Sequence, residues 1–255
     1  MTTMDLPLLE GDFESTGILE PTEIYPARDV PQAAVLSFFP EPVQQIAQRP
    51  DAKQVFAMRS EIGPNPVWEI AHRGQRLAVL QPGVGAPLAA AFLEEIIAHG
   101  VRKVIACGAA GALVPELALG HAIIVDSAVR DEGTSFHYQP PARVIDADPH
   151  ATAVLLKTLI SQEIPHVAGR TWTTDAIYRE TRTKARQRVE EGCVVVDMEA
   201  SALFAVARFR GVTLGQLLLA GDSLAGETWD HRGWTTAHTA REKLFWLAAD
   251  AAVAL

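Results

Sequence analysis

Val194-Val195-Val196-Asp197-Met198-Glu199-Ala200-Ser201-Ala202-Leu203-Phe204-Ala205-Val206-Ala207 is the stretch that decides the fold. Three consecutive valines form a short β-branched run, which predicts a strand buried on both faces. Asp197 then reads as an N-cap, and Met198, Ala202, Ala205, Val206 and Phe209 recur at helical spacing until Gly211 stops the helix. Glu199 is the oddity. It falls in the first helical turn just past a strand's C-terminal end, where open α/β sheets bind ligands. A carboxylate there also favours the helix dipole, and pattern alone leaves both roles open.

The same alternation extends outward in both directions. Upstream, 166–172 reads as a strand ending in Thr173-Thr174-Asp175-Ala176-Ile177-Tyr178, and 181–191 as a charged, exposed helix. Downstream, 213–220 is the last strand and runs into Gly221-Asp222-Ser223, again an acid at a strand end. A helix over 231–255 then buries Leu244, Phe245, Leu247 and Ala248. Further back lie a helix over 149–163, with Ala153, Leu156, Leu159 and Ile160 inward, and a strand over 120–129. That strand is followed by the polar run Arg130-Asp131-Glu132-Gly133-Thr134-Ser135, with His137 and Tyr138 beyond it, which is either a solvated loop or a site wall.

Two glycine turns complete the body. The strand over 101–110 enters Cys107-Gly108-Ala109-Ala110-Gly111-Ala112, where small residues let a ligand, or a packed helix, approach the backbone. Gln81-Pro82-Gly83-Val84-Gly85-Ala86-Pro87 opens a helix that Gly100 stops. Such a loop presents N–H groups to an anion, although it lacks the full dinucleotide fingerprint and the P-loop lysine. Strands are expected at 33–39, ended by Pro40 and Pro42, and at 55–58, 67–72 and 77–81. Residues 1–32 read as an irregular arm, and 33–255 as one α/β domain with a largely parallel or mixed sheet.

Composition narrows the function. Hydrophobic residues at 48% and charged residues at 21% of 255 are those of an ordinary globular chain. A net charge of −9 argues against broad nucleic-acid binding and gives no reason to invoke a membrane. Apolar runs stay short of a spanning helix, and the acidic start predicts no signal peptide. Cys107 and Cys193 alone, both in apolar surroundings, fit a reduced cytoplasmic chain without structural zinc. Neither a metal cluster nor a dinucleotide fingerprint is present, so no metal or organic cofactor is expected.

Taken in order, these motifs resemble the nucleoside phosphorylase superfamily, which holds purine nucleoside phosphorylases, uridine phosphorylases and methylthioadenosine-type nucleosidases. The resemblance covers about 33–255. It rests on Cys107-Gly108-Ala109-Ala110-Gly111-Ala112-Leu113, Val129-Arg130-Asp131-Glu132-Gly133-Thr134-Ser135, Thr174-Asp175-Ala176-Ile177-Tyr178 and Val196-Asp197-Met198-Glu199-Ala200, with Asp222 completing the set. The arginine–acid–glycine run is most similar to the uridine phosphorylase branch. The resemblance implies a three-layer α/β/α fold with a central mixed sheet, and cleavage of a nucleoside N-glycosidic bond.

By the same resemblance, Glu199 binds ribose hydroxyls, Met198 packs on the sugar, and His137 is a candidate for its 5′ end. Asp222 matches the acid that bonds or protonates a purine base. Uridine phosphorylases generally lack it, so the base is expected to be a purine. Ala110, Gly111, Trp172, Thr174, Ile177, Tyr178 and Asp197 complete the implied base pocket. Gly85, Gly108, Ala109 and Arg130 are the candidates for phosphate, the co-substrate of a phosphorylase. Family members are usually dimers or hexamers, so a homo-oligomer is expected.

Departures accompany the matches. Where the family's phosphorylases carry an arginine and a Ser or Thr, this chain has Ala106 and Ala109, and Phe39-Pro40-Glu41-Pro42 replaces the early phosphate loop. Ile177 stands at the position of the stacking phenylalanine. The turn is similar to that of the hydrolytic nucleosidases, so water remains the alternative nucleophile.

Overall fold

The computed structural model describes residues 6–10 and 14–255, so the parts of the arm at 1–5 and 11–13 lie outside it. The described arm holds a 3-10 turn at Pro7–Leu9 and a single helical turn, α1 (Pro21–Ile24). The body then runs β1 (Ala33–Ser37), α2 (Pro40–Ala47), β2 (Lys53–Ser60), β3 (Gly63–His72), β4 (Gln75–Leu80), α3 (Ala86–His99), β5 (Lys103–Ala112), β6 (Ala122–Asp131) and β7 (Val144–Asp146). It continues through α4 (Pro149–Ser161), β8 (His166–Thr174), α5 (Arg182–Glu190), β9 (Cys193–Asp197), α6 (Ala200–Arg210), β10 (Thr213–Ser223) and α7 (His238–Ala254).

Period-two alternation along the buried strands splits the interior in two. In β1, Ala34 and Leu36 face a core shared with α3 and α6, while Ala33 and Val35 face one shared with α2, α4 and α7. Val104 and Ala106 of β5 join the first core, and Ile105 and Cys107 the second. The result is the expected α/β/α sandwich around one mixed sheet.

The strand order is β2-β3-β4-β1-β5-β9-β8-β6-β10, and β10 pairs back onto β5. Five strands thereby close on themselves, four extend from β5, and the short β7 pairs with β6. β1 runs beside β5 only as far as Cys107, whereas β9 joins it only at Gly111. Between those points, at Gly108-Ala109-Ala110, one neighbour has left and the next has not arrived. That parting of strands is where α/β sheets open a ligand crevice.

Several elements differ from the sequence reading. Cys107–Ala112, read as a glycine turn, continues β5 as strand, and β10 likewise runs on through Gly221-Asp222-Ser223. Pro40 and Pro42 do not merely end a strand: Pro40 takes the first position of α2, where its missing N–H costs nothing. In α4 the buried stripe is Ala151, Leu155, Thr158 and Leu159, with Leu156 and Ile160 exposed; two apolar stripes share this helix, and only packing selects between them. The last helix begins at His238 rather than 231, because Gly233 at φ 65° and a 3-10 turn at Trp234–Thr236 occupy the approach. Among the described residues, no helix is long and apolar enough to cross a membrane.

Candidate active site

β9 delivers Asp197 and Glu199 to the crevice. Asp197 is buried and accepts from the hydroxyls of Thr171 (3.0 Å) and Thr173 (2.8 Å) and from the N–H groups of Glu199 (3.0 Å) and Ala200 (2.7 Å). It therefore performs the capping expected of it, although Glu199 holds the N-cap position of α6. Burial pushes its carboxyl up, and those same donors pull it back. Its role is to fix the start of α6, and with it the backbone that carries Glu199.

Glu199 is 6% exposed, and its Oε1 accepts the Gly85 N–H at 2.6 Å. The glycine loop before α3 does hold an acceptor, and that acceptor is the protein's own Glu199 carboxyl. Burial first, and then the neighbouring Asp197, raise the Glu199 carboxyl to about 8, with the Gly85 N–H opposing them. Between the ordinary value of 4.5 and about 8 the folded protein keeps a proton that the unfolded chain has released, so stability falls as pH rises through that window. Urea unfolding at pH 5 and pH 8.5 reads the loss, on the order of 3 kcal/mol from this group. Glu199→Gln, neutral throughout, removes most of it.

The polar run after β6 is a wall rather than a solvated loop. Glu132 is buried and accepts from the Ser135 N–H (2.9 Å) and the Ser201 hydroxyl (2.9 Å), tying the run to α6. Gly133 donates its N–H to Asp175 at 2.9 Å. Gly133, Thr134, His137, Tyr138 and Asp175 line, with the first turns of α3, a cavity of about 510 Å³. The charge of Asp175, on this cavity's wall, adds to the rise of the Glu199 carboxyl.

Asp222 lies on β10, across β5 from β9. Ala110 pairs with Ala220, Gly111 with Val196, and Ala112 with both Val195 and Ser223, so the two acid-bearing strands flank one short segment. Gly111 leaves little room there. A β-carbon would stand 2.6 Å from Leu224 and 2.9 Å from Val196, with the Asp222 carboxylate at 3.7 Å. Asp222 Oδ2 accepts the indole N–H of Trp229 at 2.6 Å. Beside it is Glu180, whose carboxyl is raised to about 7 by burial and by the charge of Asp222. Neither Trp229 nor Glu180 was singled out by the sequence, which gives no sign of a contact made across the fold.

A phosphorylase superfamily model matches residues 32–252. The chain belongs to that superfamily. Among its relatives is a guanosine phosphorylase of Halorubrum lacusprofundi, 27% identical over 199 residues, which are 78% of this chain and 81% of that protein. Another is a uridine phosphorylase of Thermococcus kodakarensis, 28% identical over 73% of this chain and 71% of its own. Solved structures agree on the fold. A uridine phosphorylase from Vibrio fischeri superposes with a TM-score of 0.75 at 22% identity, covering 89% of this chain and 94% of that one. A purine nucleoside phosphorylase from Toxoplasma gondii in complex with immucillin-H gives 0.76 at 21%, covering 88% and 91%.

For a nucleoside phosphorylase family member, the anion positions are unusual. Ala106 is fully buried, and Gly108 lies under Phe38, whose ring comes to 3.1 Å from where a β-carbon on residue 108 would stand. The Arg130 guanidinium is consumed internally, donating to Ser135 Oγ (2.8 Å) and to the carbonyls of Pro140 (2.7 Å) and Gln139 (3.1 Å) and lying over the Phe136 ring. The Gly85 N–H already serves Glu199. Arg130 thus braces the 133–140 wall instead of facing the crevice.

Other residues fall into two groups. Ala110, Gly111, Met198, Glu199 and Asp222 gather around the end of β5, and Thr174 is buried at the end of β8. Trp172 is fully buried beneath them, its N–H on Asp131 at 2.9 Å, and so belongs to the core rather than to a pocket wall. Ile177 is 45% exposed and Tyr178 93% exposed, both on the 3-10 turn that follows β8. Among the described residues, no group of three or more His, Cys, Asp or Glu is arranged to hold a metal ion.

Proposed function

We propose that this chain cleaves the N-glycosidic bond of a purine-type nucleoside and passes the ribosyl group to phosphate, giving free base and ribose 1-phosphate. The observation that supports this most directly is the pair of acids, Glu199 and Asp222, on the strands flanking Ala110-Gly111. One oxygen of Glu199 is held by Gly85, which orients the other toward the ribose 2′ and 3′ hydroxyls. Asp222 serves the base. As the bond between the base nitrogen and C1′ breaks, its electron pair moves into the purine and the sugar becomes an oxocarbenium-like cation. Glu199 stabilises that positive charge once it has given up the proton that burial makes it hold up to about pH 8. A proton delivered at the purine imidazole nitrogen, from Asp222 or from Glu180 beside it, neutralises the departing base. A phosphate oxygen then forms the new bond to C1′.

The guanosine phosphorylase relative favours a purine and the uridine phosphorylase relative a pyrimidine; Asp222 tips the choice to purine. The reading carries with it a cytoplasmic homo-oligomer that needs no organic cofactor.

A second reading has its own observation. Ala106, Ala109, the Phe38 cover over Gly108 and the internally spent Arg130 leave no arginine fork at the expected anion position. A phosphate dianion binds poorly without paired charge-assisted bonds, so water is the alternative nucleophile. Free base released from a panel of purine and pyrimidine nucleosides, with and without phosphate or arsenate, separates them. Phosphorolysis shows a rate at least tenfold higher with phosphate, whereas hydrolysis shows the same rate without it. Absence of base release from every nucleoside overturns both.

A further inference from the structure

Ile177 leaves the proposed base subsite without the ring that the family places at that position, yet a ring is present on another element. Trp229 donates its indole N–H to Asp222 at 2.6 Å while its side chain stays 62% exposed. Tryptophan is normally buried over most of its surface, so so open a ring in contact with the base-directed carboxylate calls for an occupant. The segment that carries it, 224–230, is fixed at its root. Ser223 and Asp230 exchange both backbone hydrogen bonds (2.8 and 3.0 Å), and the Leu224 N–H reaches the Ala112 carbonyl at 2.9 Å. Its outer part is held by an exposed Arg182–Glu227 pair at 3.2 Å, a contact of little strength. On the other side, His231 meets the Trp229 ring edge-on at 5.3 Å and fixes its tilt.

We infer that Trp229 is the aromatic wall of the base subsite, a specificity-determining residue that holds Asp222 in the empty protein and yields it to the incoming base. The inference rests on the nucleoside reading above. The indole N–H occupies the oxygen that a base donor needs, so base binding exchanges one hydrogen bond for another. The ring released from Asp222 then has the face of a planar heterocycle to cover. A bicyclic purine offers more of that face than a pyrimidine, which adds to the preference set by Asp222.

The test is base binding, which requires no turnover. Hypoxanthine and uracil are titrated into the full chain by calorimetry, and tryptophan fluorescence is followed in parallel. Trp229→Ala is expected to weaken hypoxanthine by about tenfold to a hundredfold, the range for removing one stacking ring, and uracil by less. Trp229→Phe, which keeps a ring but loses the N–H, falls between wild type and Trp229→Ala. The wild-type fluorescence change on adding hypoxanthine disappears in both variants. Hypoxanthine binding within twofold of wild type in Trp229→Ala, or an unchanged fluorescence response in Trp229→Phe, overturns the role of Trp229 while leaving the nucleoside reading intact. A wild type that binds neither base overturns both.

Discussion

Glu199→Gln lowers kcat/KM by about 10²–10³ for every nucleoside that the protein cleaves. The substitution is nearly isosteric, and the amide oxygen can still accept the Gly85 N–H, so the loop before α3 keeps its place. What disappears is a group that can ionise, and with it the charge Glu199 takes on when it loses its proton. A hydrogen bond from a hydroxyl to a carboxylate contributes about 1.5–3 kcal/mol, and the bonds to the sugar strengthen as it becomes an oxocarbenium. Purine and pyrimidine nucleosides share the sugar, so both lose alike. Steady-state rates on two nucleosides check this, with the circular dichroism spectrum unchanged. A variant that retains more than a third of wild-type kcat/KM contradicts the role.

Asp222→Asn separates the bases. For purine nucleosides kcat falls by about 10²–10⁴, the usual worth of a positioned acid, whereas pyrimidine nucleosides lose less than tenfold because their leaving group has no imidazole nitrogen to protonate. The Asn oxygen still accepts the Trp229 N–H, so the 224–230 segment stays folded. Equal losses for the two classes, or none for purines, remove Asp222 from proton delivery.

The parts of this fold that were legible in the sequence are those whose signal is local. AAVLS at 33–37 has nowhere to go but a buried strand, and Pro87 and Gly100 mark the two ends of α3. Asp197 was readable as a cap because its acceptors and the helix start are three residues apart. The phase of α4 was not readable, since Ala151, Leu155 and Leu159 compete with Ala153, Leu156 and Ile160, and only the neighbouring β10 and α7 decide between them.

The site divides in the same way. Glu199 and Asp222 stood out as acids at strand ends, and the described sheet puts their strands on either side of β5. By composition the Arg130 run read as a solvated loop, and its wall-forming role depends on Ser201, 69 residues away from Glu132. Trp229 and Glu180 carry no periodic or motif signal at all. Their meaning comes from Asp222, which Trp229 meets through a hydrogen bond and whose charge Glu180 feels, and neither relation exists before the chain has folded.

The most direct test of the central claim is a crystal structure with an uncleaved nucleoside analogue bound. The account predicts the ribose 2′ and 3′ hydroxyls within hydrogen-bond distance of Glu199 and the base edge on Asp222 of the same chain, above Ala110-Gly111. A nucleoside that touches one of these acids while the other faces solvent or a separate cavity would contradict it.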